Sequence, residues 1–332
     1  MTVINGIEID NIHYCKNSIR DAIENNTPIE DKLHVIAVIS NPCLYAKRYI
    51  LLKEFVKRME MDEKDVIVYV VEMVYDDQKF IVSDKNNKRH LQLRTKIPIW
   101  HKENMVNLGV AHLLPPDWKA FAWIDSDLEF ESHTWAKDTL KILNGAKDIV
   151  QVFSHCIDMD QEEMAMNIFS SAGYNNCKNK TYCGNGSNYW HPGFAWAITR
   201  TAYDRIGGLY ELGILGSGDN IMLFCLIGNG VRSINEKSTE DYKNTILEYQ
   251  EKMKNLRFGY TPGVIRHHFH GSKKNRKYSE RWQILIDHNY SPTLHITQNK
   301  KGILIPTRKF PTQLKIDIMD YFRQRNEDEF LV

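Results

Sequence analysis

A strand–helix–strand pattern near the start of the chain limits the possible folds more than any other feature. Leu33-His-Val-Ile-Ala-Val-Ile-Ser40 is a short apolar run ended by Asn41-Pro42, so it reads as a buried strand emptying into a loop. Residues 44 to 60 carry Leu44, Tyr45, Ile50, Leu51, Phe55 and Met59 at helical spacing among lysine, arginine and glutamate, which predicts a helix with one wet face. Asp65 to Val74 is a second β-branched run. Two strands joined through a helix open a parallel sheet, and that confines the chain to the α/β class.

The rest of the chain extends this rhythm. Asp76 to His90 is a polar excursion, and Trp100 to Leu114 is helical until Pro115-Pro116 stops it. Lys119 to Ile124 forms the next strand and delivers Asp125-Ser-Asp127 at its carboxyl end. A helix from Ser132 or His133 to Leu143, strands at Asp148 to Phe153 and Gly193 to Thr199, and helices at Asn220 to Ile227 and Thr239 to Asn255 follow. Asp158 to Ser187, rich in Asn, Cys and Gly, reads as an irregular loop, and long loops in compact domains tend to be functional. Beyond His288 the alternation is lost. The expected organisation is a segment at 1–30, one Rossmann-like α/β domain at 31–290 with a mostly parallel sheet flanked by helices, and a C-terminal extension at 291–332 packed on it.

Charge removes some partners. With 43 basic and 42 acidic side chains there is no global case for nucleic acid or an anionic membrane. No stretch approaches the roughly 18 apolar residues of a spanning helix, and Met1 to Asp10 lacks a signal-peptide layout. The expectation is a soluble cytoplasmic protein, in the host cytoplasm if the source is viral. Its six scattered cysteines then read as idle thiols. Cys177, Cys183 and His191 match no compact zinc spacing.

The chemistry concentrates at Asp125-Ser-Asp127. Two carboxylates at i and i+2 after an apolar strand share the sheet's carboxyl edge, where ligands of open α/β sheets bind. A hard cation such as Mn²⁺ or Mg²⁺ takes carboxylate and diphosphate oxygens there. One Asp can ligate the metal while the other reaches a ribose or a metal-bound water.

Trp123-Ile-Asp-Ser-Asp127 resembles the D-x-D signature of GT-A glycosyltransferases, and Lys102-Glu-Asn104 with Asn107-Leu-Gly109 resembles the helix preceding it in that fold. The resemblance covers Leu33 to Trp282. It implies a metal-dependent transferase using a nucleotide sugar, with UDP-sugars foremost, and a glycan or glycoprotein acceptor. It places Ser40, Asn41, Pro42, Glu72, Asn104, Asp125, Ser126 and Asp127 around the donor. The combined motifs resemble uncharacterised glycosyltransferases of large DNA viruses, phages and bacteria.

Gly193 to Arg200, Ile206-Gly-Gly-Leu209 and Ile214-Leu-Gly-Ser-Gly-Asp219 are similar to the core of inverting enzymes of the β-1,4-galactosyltransferase group. Carried across, Asp219 matches the catalytic base. Gly218 departs from the pattern, which has Glu there. Independently of the name, the small residues admit an acceptor and the helix's first turn holds the carboxylate, although an Asp there also suits a helix N-cap. Trp190, His191, Trp196 and Gly218 are candidate acceptor contacts.

Val264-Ile-Arg-His-His-Phe-His-Gly-Ser-Lys-Lys-Asn-Arg276 joins a strand to a cationic turn. On a strand, His268 and His270 share a face, and His270, followed by Gly271, is the favoured metal ligand. Lys273, Lys274 and Arg276 are candidates to neutralise the departing diphosphate. A competing register, His268-x-x-Gly271-x-x-Lys274, resembles an element of retaining GT-A enzymes. Rival readings are a nucleotidyltransferase, which lacks its Gly-rich loop here, an HxH metallohydrolase, and a glycan-binding module without turnover.

Overall fold

The computed structural model describes residues 18–186 and 189–329, together with Val3–Ile4 and Ile7–Glu8. Cys15, Ser187, most of the segment before Ser18 and the side chain of Lys273 lie outside the described residues.

The α/β expectation holds. A seven-stranded sheet contains β1 (Leu33–Ser40), β2 (Val66–Tyr75), β3 (His90–Thr95), β4 (Ala120–Ile124), β6 (Ile149–Gln151), β10 (Ala195–Thr199) and β11 (Phe258–Tyr260). A second sheet of five strands contains β5 (Leu128–Phe130), β7 (His155–Met159), β8 (Ala165–Ser171), β9 (Trp190–His191) and β12 (Val264–His267). The large sheet runs β11-β6-β10-β4-β1-β2-β3, and β10 alone is antiparallel to its neighbours.

Alternation along the central strands explains why both faces are covered. Val66, Val68 and Val70 enter one apolar cluster with Leu52, Phe55 and Met59 of the helix Ala46–Met61. Tyr69, Val71 and Met73 enter the other with Met105, Val106 and Leu108 of the helix Lys102–Leu113. Side chains two apart share a face, so a strand apolar at every position needs a helix on each side. Gly109 sets how closely the second helix sits, since a Cβ there would meet Val71 at 3.0 Å and Ile36 at 3.1 Å.

The region 158–187 differs from its expectation as an irregular loop. It holds the end of β7, all of β8 and the helix Ala172–Cys177. The first residues of β8 are exposed, so the apolar alternation that marks a strand is missing there. The strand β3 was likewise masked by its polar composition. The helix Gly218–Leu226 begins at Gly218, with Ser217 at φ 72° as its cap residue; Asp219 lies in the first turn and is not the cap. Among the described residues no helix is long and apolar enough to cross a membrane.

Candidate active site

The chain builds β1, β2 and β3 outward in one direction, then returns to place β4 on the other side of β1. The carboxyl ends of β1 and β4 therefore diverge into a crevice, the usual ligand position of an open α/β sheet. Ser40, Lys102, Asp125, Ser126, Asp127, His270, Arg276 and Arg325 line it.

Two neighbouring segments fix the turn after β4. The amide of Asp125 donates to the Phe194 carbonyl at 2.9 Å, and the Asp127 carbonyl accepts from the His268 amide at 2.8 Å. Pairing of β5 with β12 sets Leu128 opposite His267, so Asp127, one residue earlier, meets the histidine segment.

On one bank of the crevice, Lys102 Nζ lies 2.6 Å from Asp125 Oδ1 and 3.3 Å from Asp219 Oδ2. Burial opposes charge on Lys102, but Asp125 and Asp219 outweigh it and raise its pKa. Burial raises Asp125 against the pull of Lys102. Glu103 is buried beside this pair and pushed up to about 8, chiefly by desolvation. Its carboxyl fills the space above Gly218, where a Cβ would stand 2.1 Å from Glu103 Oε1. A carboxyl thus adjoins Asp219 although position 218 has no side chain.

On the other bank, Asp127 Oδ2 lies 2.7 Å from His270 Nε2 and 3.6 Å from His267 Nε2. His267 Nδ1 contacts Asp158 Oδ1 at 2.6 Å. Burial works against the Asp127 charge, but His267 and His270 hold its carboxyl well below the usual range. Ligand atoms of Asp127, His267 and His270 all lie within 4.8 Å of one another. Asp127 Oδ1 is buried with no hydrogen-bond partner among the described residues. A carboxylate oxygen so placed is costly unless a cation meets it, and two imidazoles with one carboxylate suit a borderline divalent ion. The residues therefore fit a metal.

The expected site residues divide by location. Asn41 and Pro42 line an adjoining pocket with Ser40, although the Asn41 amide is tied to Tyr45. Asp219, Gly218 and His191 stand on the Lys102 bank: a Cβ on Gly193 would lie 3.2 Å from His191 Cε1 and 3.6 Å from Asp219 Oδ2.

Six others lie elsewhere. Glu72 accepts bonds from the amides of Ile81, Val82 and Ser83 and from the Ser83 hydroxyl, which ties down a loop. The Asn104 amide binds Glu211 and the Gly302 carbonyl. Trp190 and Trp196 are buried, with Trp196 stacked on Trp123 and Phe258. Lys274 is exposed, and Arg276 faces the crevice instead. The strand ends at His267, so His268 does not share a face with His270, and its ring lies 3.5 Å from Glu129.

The motifs did not mark His267, Glu103, Arg48, Arg325 or Glu327 as site residues. His267 was legible as a further imidazole beside the favoured pair. No local signal marks the two residues near the C-terminus.

No protein-family model matches the chain, and no curated protein matches it. Among solved structures, the catalytic domain of Drosophila beta-1,4-galactosyltransferase 7 with xylobiose is similar at 9% identity and TM-score 0.37, over 84% of this chain and 93% of that one. A mutant of that enzyme with manganese, UDP-Gal and xylobiose matches at 9% identity and TM-score 0.38, over 83% and 93%. The 4-diphosphocytidyl-2C-methyl-D-erythritol synthase of Anaerococcus prevotii matches at 10% identity and TM-score 0.30, over 89% and 100%.

Proposed function

We propose that the chain is a metal-dependent glycosyltransferase that moves a sugar from a UDP-linked donor to a hydroxyl of a glycan or glycoprotein, with inversion. The observation that carries this reading is the Asp127 carboxylate in the crevice between β1 and β4, which faces two histidines through Oδ2 and keeps Oδ1 buried without a partner among the described residues. Asp127, His267 and His270 would hold a divalent ion, which supplies positive charge to the diphosphate as it departs. Two imidazoles in the set favour Mn²⁺ over Mg²⁺.

The other bank serves the acceptor. Asp219 takes the proton of the attacking hydroxyl, and Lys102 orients it from the Asp125 side. Glu103 offers a second carboxyl for hydrogen bonds to the sugar. Inversion is favoured over retention because, of the two residues that the retaining register requires, His268 turns its ring to Glu129 and is not among the clustered ligand atoms of Asp127, His267 and His270, and Lys274 is exposed.

The test is a panel of UDP-, GDP-, dTDP- and CMP-sugars with Mn²⁺, read as release of nucleotide. UDP-sugar turnover should appear with Mn²⁺ and vanish in EDTA and in Asp127→Ala. A folded protein that leaves every nucleotide sugar intact would remove the reading and favour a glycan-binding module. Pyrophosphate released from a nucleoside triphosphate and a sugar phosphate would point to a nucleotidyltransferase.

A further inference from the structure

The crevice has a third wall near the C-terminus, made by the turn after the helix Thr312–Gln324. Glu327, 2% exposed, sits there between two guanidinium groups. Arg48 Nη2 and Arg325 Nη2 each lie 2.7 Å from Glu327 Oε1, and Arg48 Nε also donates to Oε2. Arg48 is anchored to the end of β1 through Nη1, which donates to the Ser40 carbonyl at 2.9 Å. Arg325 lies over the Trp100 ring at 5.3 Å.

The same wall contains donors that Glu327 leaves unserved. Arg276 Nε, Arg325 Nε and Trp100 Nε1 are buried without hydrogen-bond partners among the described residues, and all three side chains line the crevice. One carboxylate has two oxygens, and both already engage arginines. Planar guanidinium forks match phosphate geometry, and a diphosphate brings more oxygens and more charge than a carboxylate.

We infer that Arg48, Arg276 and Arg325 form a diphosphate subsite in which Glu327 is an internal carboxylate that the diphosphate displaces. The choice of a nucleoside diphosphate as ligand rests on the donor reading above. The turn can yield because polar contacts clip it in place: besides Glu327, the Asp328 carboxylate accepts from the amides of Ala46 at 2.8 Å and Lys47 at 2.9 Å. Those amides open the helix Ala46–Met61, so the turn sets one carboxylate on the crevice arginines and the next on the positive start of that helix.

Calorimetric titration of the full chain with inorganic pyrophosphate and with UDP, both with Mn²⁺, tests this. Glu327→Gln keeps the side-chain shape and removes the competing charge, so it should bind pyrophosphate about tenfold more tightly than the wild type. Arg48→Gln should bind it about tenfold more weakly. Equal or weaker binding by Glu327→Gln would make the residue a structural clip and overturn the inference.

Should Glu327→Gln fail to fold, hydrogen exchange of the wild type decides. Residues 325–329 should exchange faster when pyrophosphate and Mn²⁺ are added, and unchanged or slower exchange would overturn displacement. The two readings fail separately. Tighter pyrophosphate binding without turnover of any nucleotide sugar would leave the anion site and remove the transferase. Turnover with unchanged affinity in Glu327→Gln would do the reverse.

Discussion

Asp125 and Asp127 leave the same strand end two residues apart, yet the two banks of the crevice treat them in opposite ways. Asp125 faces Lys102, a cation built into the chain, while Asp127 faces His267 and His270 and keeps one oxygen buried without a partner among the described residues. Burial raises the pKa of Asp125; against the same burial, the histidines depress that of Asp127. A carboxylate satisfied by a lysine has no need of a metal, whereas one flanked by imidazoles with an oxygen to spare does. The i, i+2 pattern in sequence thus describes two residues in different surroundings, and the proposed divide between acceptor and donor sides is built on that difference.

The largest effect that would break this division is on the lysine bank. If Asp219 is the base, Asp219→Asn should lower turnover about 10² to 10⁴-fold while affinity for UDP with Mn²⁺ stays within about threefold. Single-turnover kinetics beside calorimetry would separate the two quantities. Loss of UDP affinity in Asp219→Asn would instead join Asp219 to the metal bank. Near-normal turnover, or retained anomeric configuration by NMR, would return the chemistry to a retaining route.

The histidine bank predicts a pH effect in metal-free protein. Burial opposes charge on His267, but Asp127 and Asp158 raise its pKa to about 9. A histidine whose folded value exceeds its unfolded value contributes stability that is full below about pH 6.5 and is lost as pH rises through 9. The share of His267 in that loss should be about 3 kcal/mol, seen in EDTA between pH 6.5 and 9.5 as the part of the falling urea midpoint that His267→Gln removes; Glu103, raised to about 8, adds a fall of the same sign. His101, pushed down to about 4 by burial, acts with the opposite sign and weakens the fold as pH falls from about 6.5 toward 4. An equal fall in the wild type and in His267→Gln between pH 6.5 and 9.5 would mean that His267 is neutral beside Asp127. Mn²⁺ should flatten that alkaline fall, since binding needs the neutral imidazole and adds its own stabilisation.

How far the sequence revealed this arrangement depended on the range of each interaction. The strands β1, β2 and β4 and the helices against them were legible because the strands are near-continuous apolar runs, which burial of both faces imposes, and the helices are apolar at every third to fourth position, which burial of one face imposes. The Asp125-Ser-Asp127 turn was legible for the same reason, since it ends such a strand. The second sheet was less so, because β8 starts exposed and β9 has two residues. Glu103 was hidden by its place in a helix whose other residues are apolar or polar for packing, and its position over Gly218 exists only in three dimensions. Glu72 and Asn104 differ for the converse reason: a polar residue at a promising strand end or helix start also serves structure, and here loop amides engage the first and Glu211 the second. Glu327, which also pairs with Arg325, reaches Arg48 across 279 positions, and no local spacing encodes that contact.

The smallest expected effect tests the register of the histidine segment. Extended as a strand, Val264 to His270 would put His268 and His270 on one face, and both would reach the metal. In the structure, ladder pairing stops at His267, opposite Leu128, and the chain then turns. His267 and His270 come to Asp127, while His268 Nε2 faces Glu129 at 3.5 Å, beyond a good hydrogen bond. His268→Ala should therefore change Mn²⁺ affinity by no more than about twofold, the range of substitutions away from a site. His267→Ala, by contrast, removes a ligand atom and should cost at least about tenfold. Competition titration with a metal-sensitive dye gives both affinities on one scale. A tenfold loss in His268→Ala with little change in His267→Ala would mean that the strand runs three residues further in solution, to His270, and the metal bank would then be Asp127, His268 and His270.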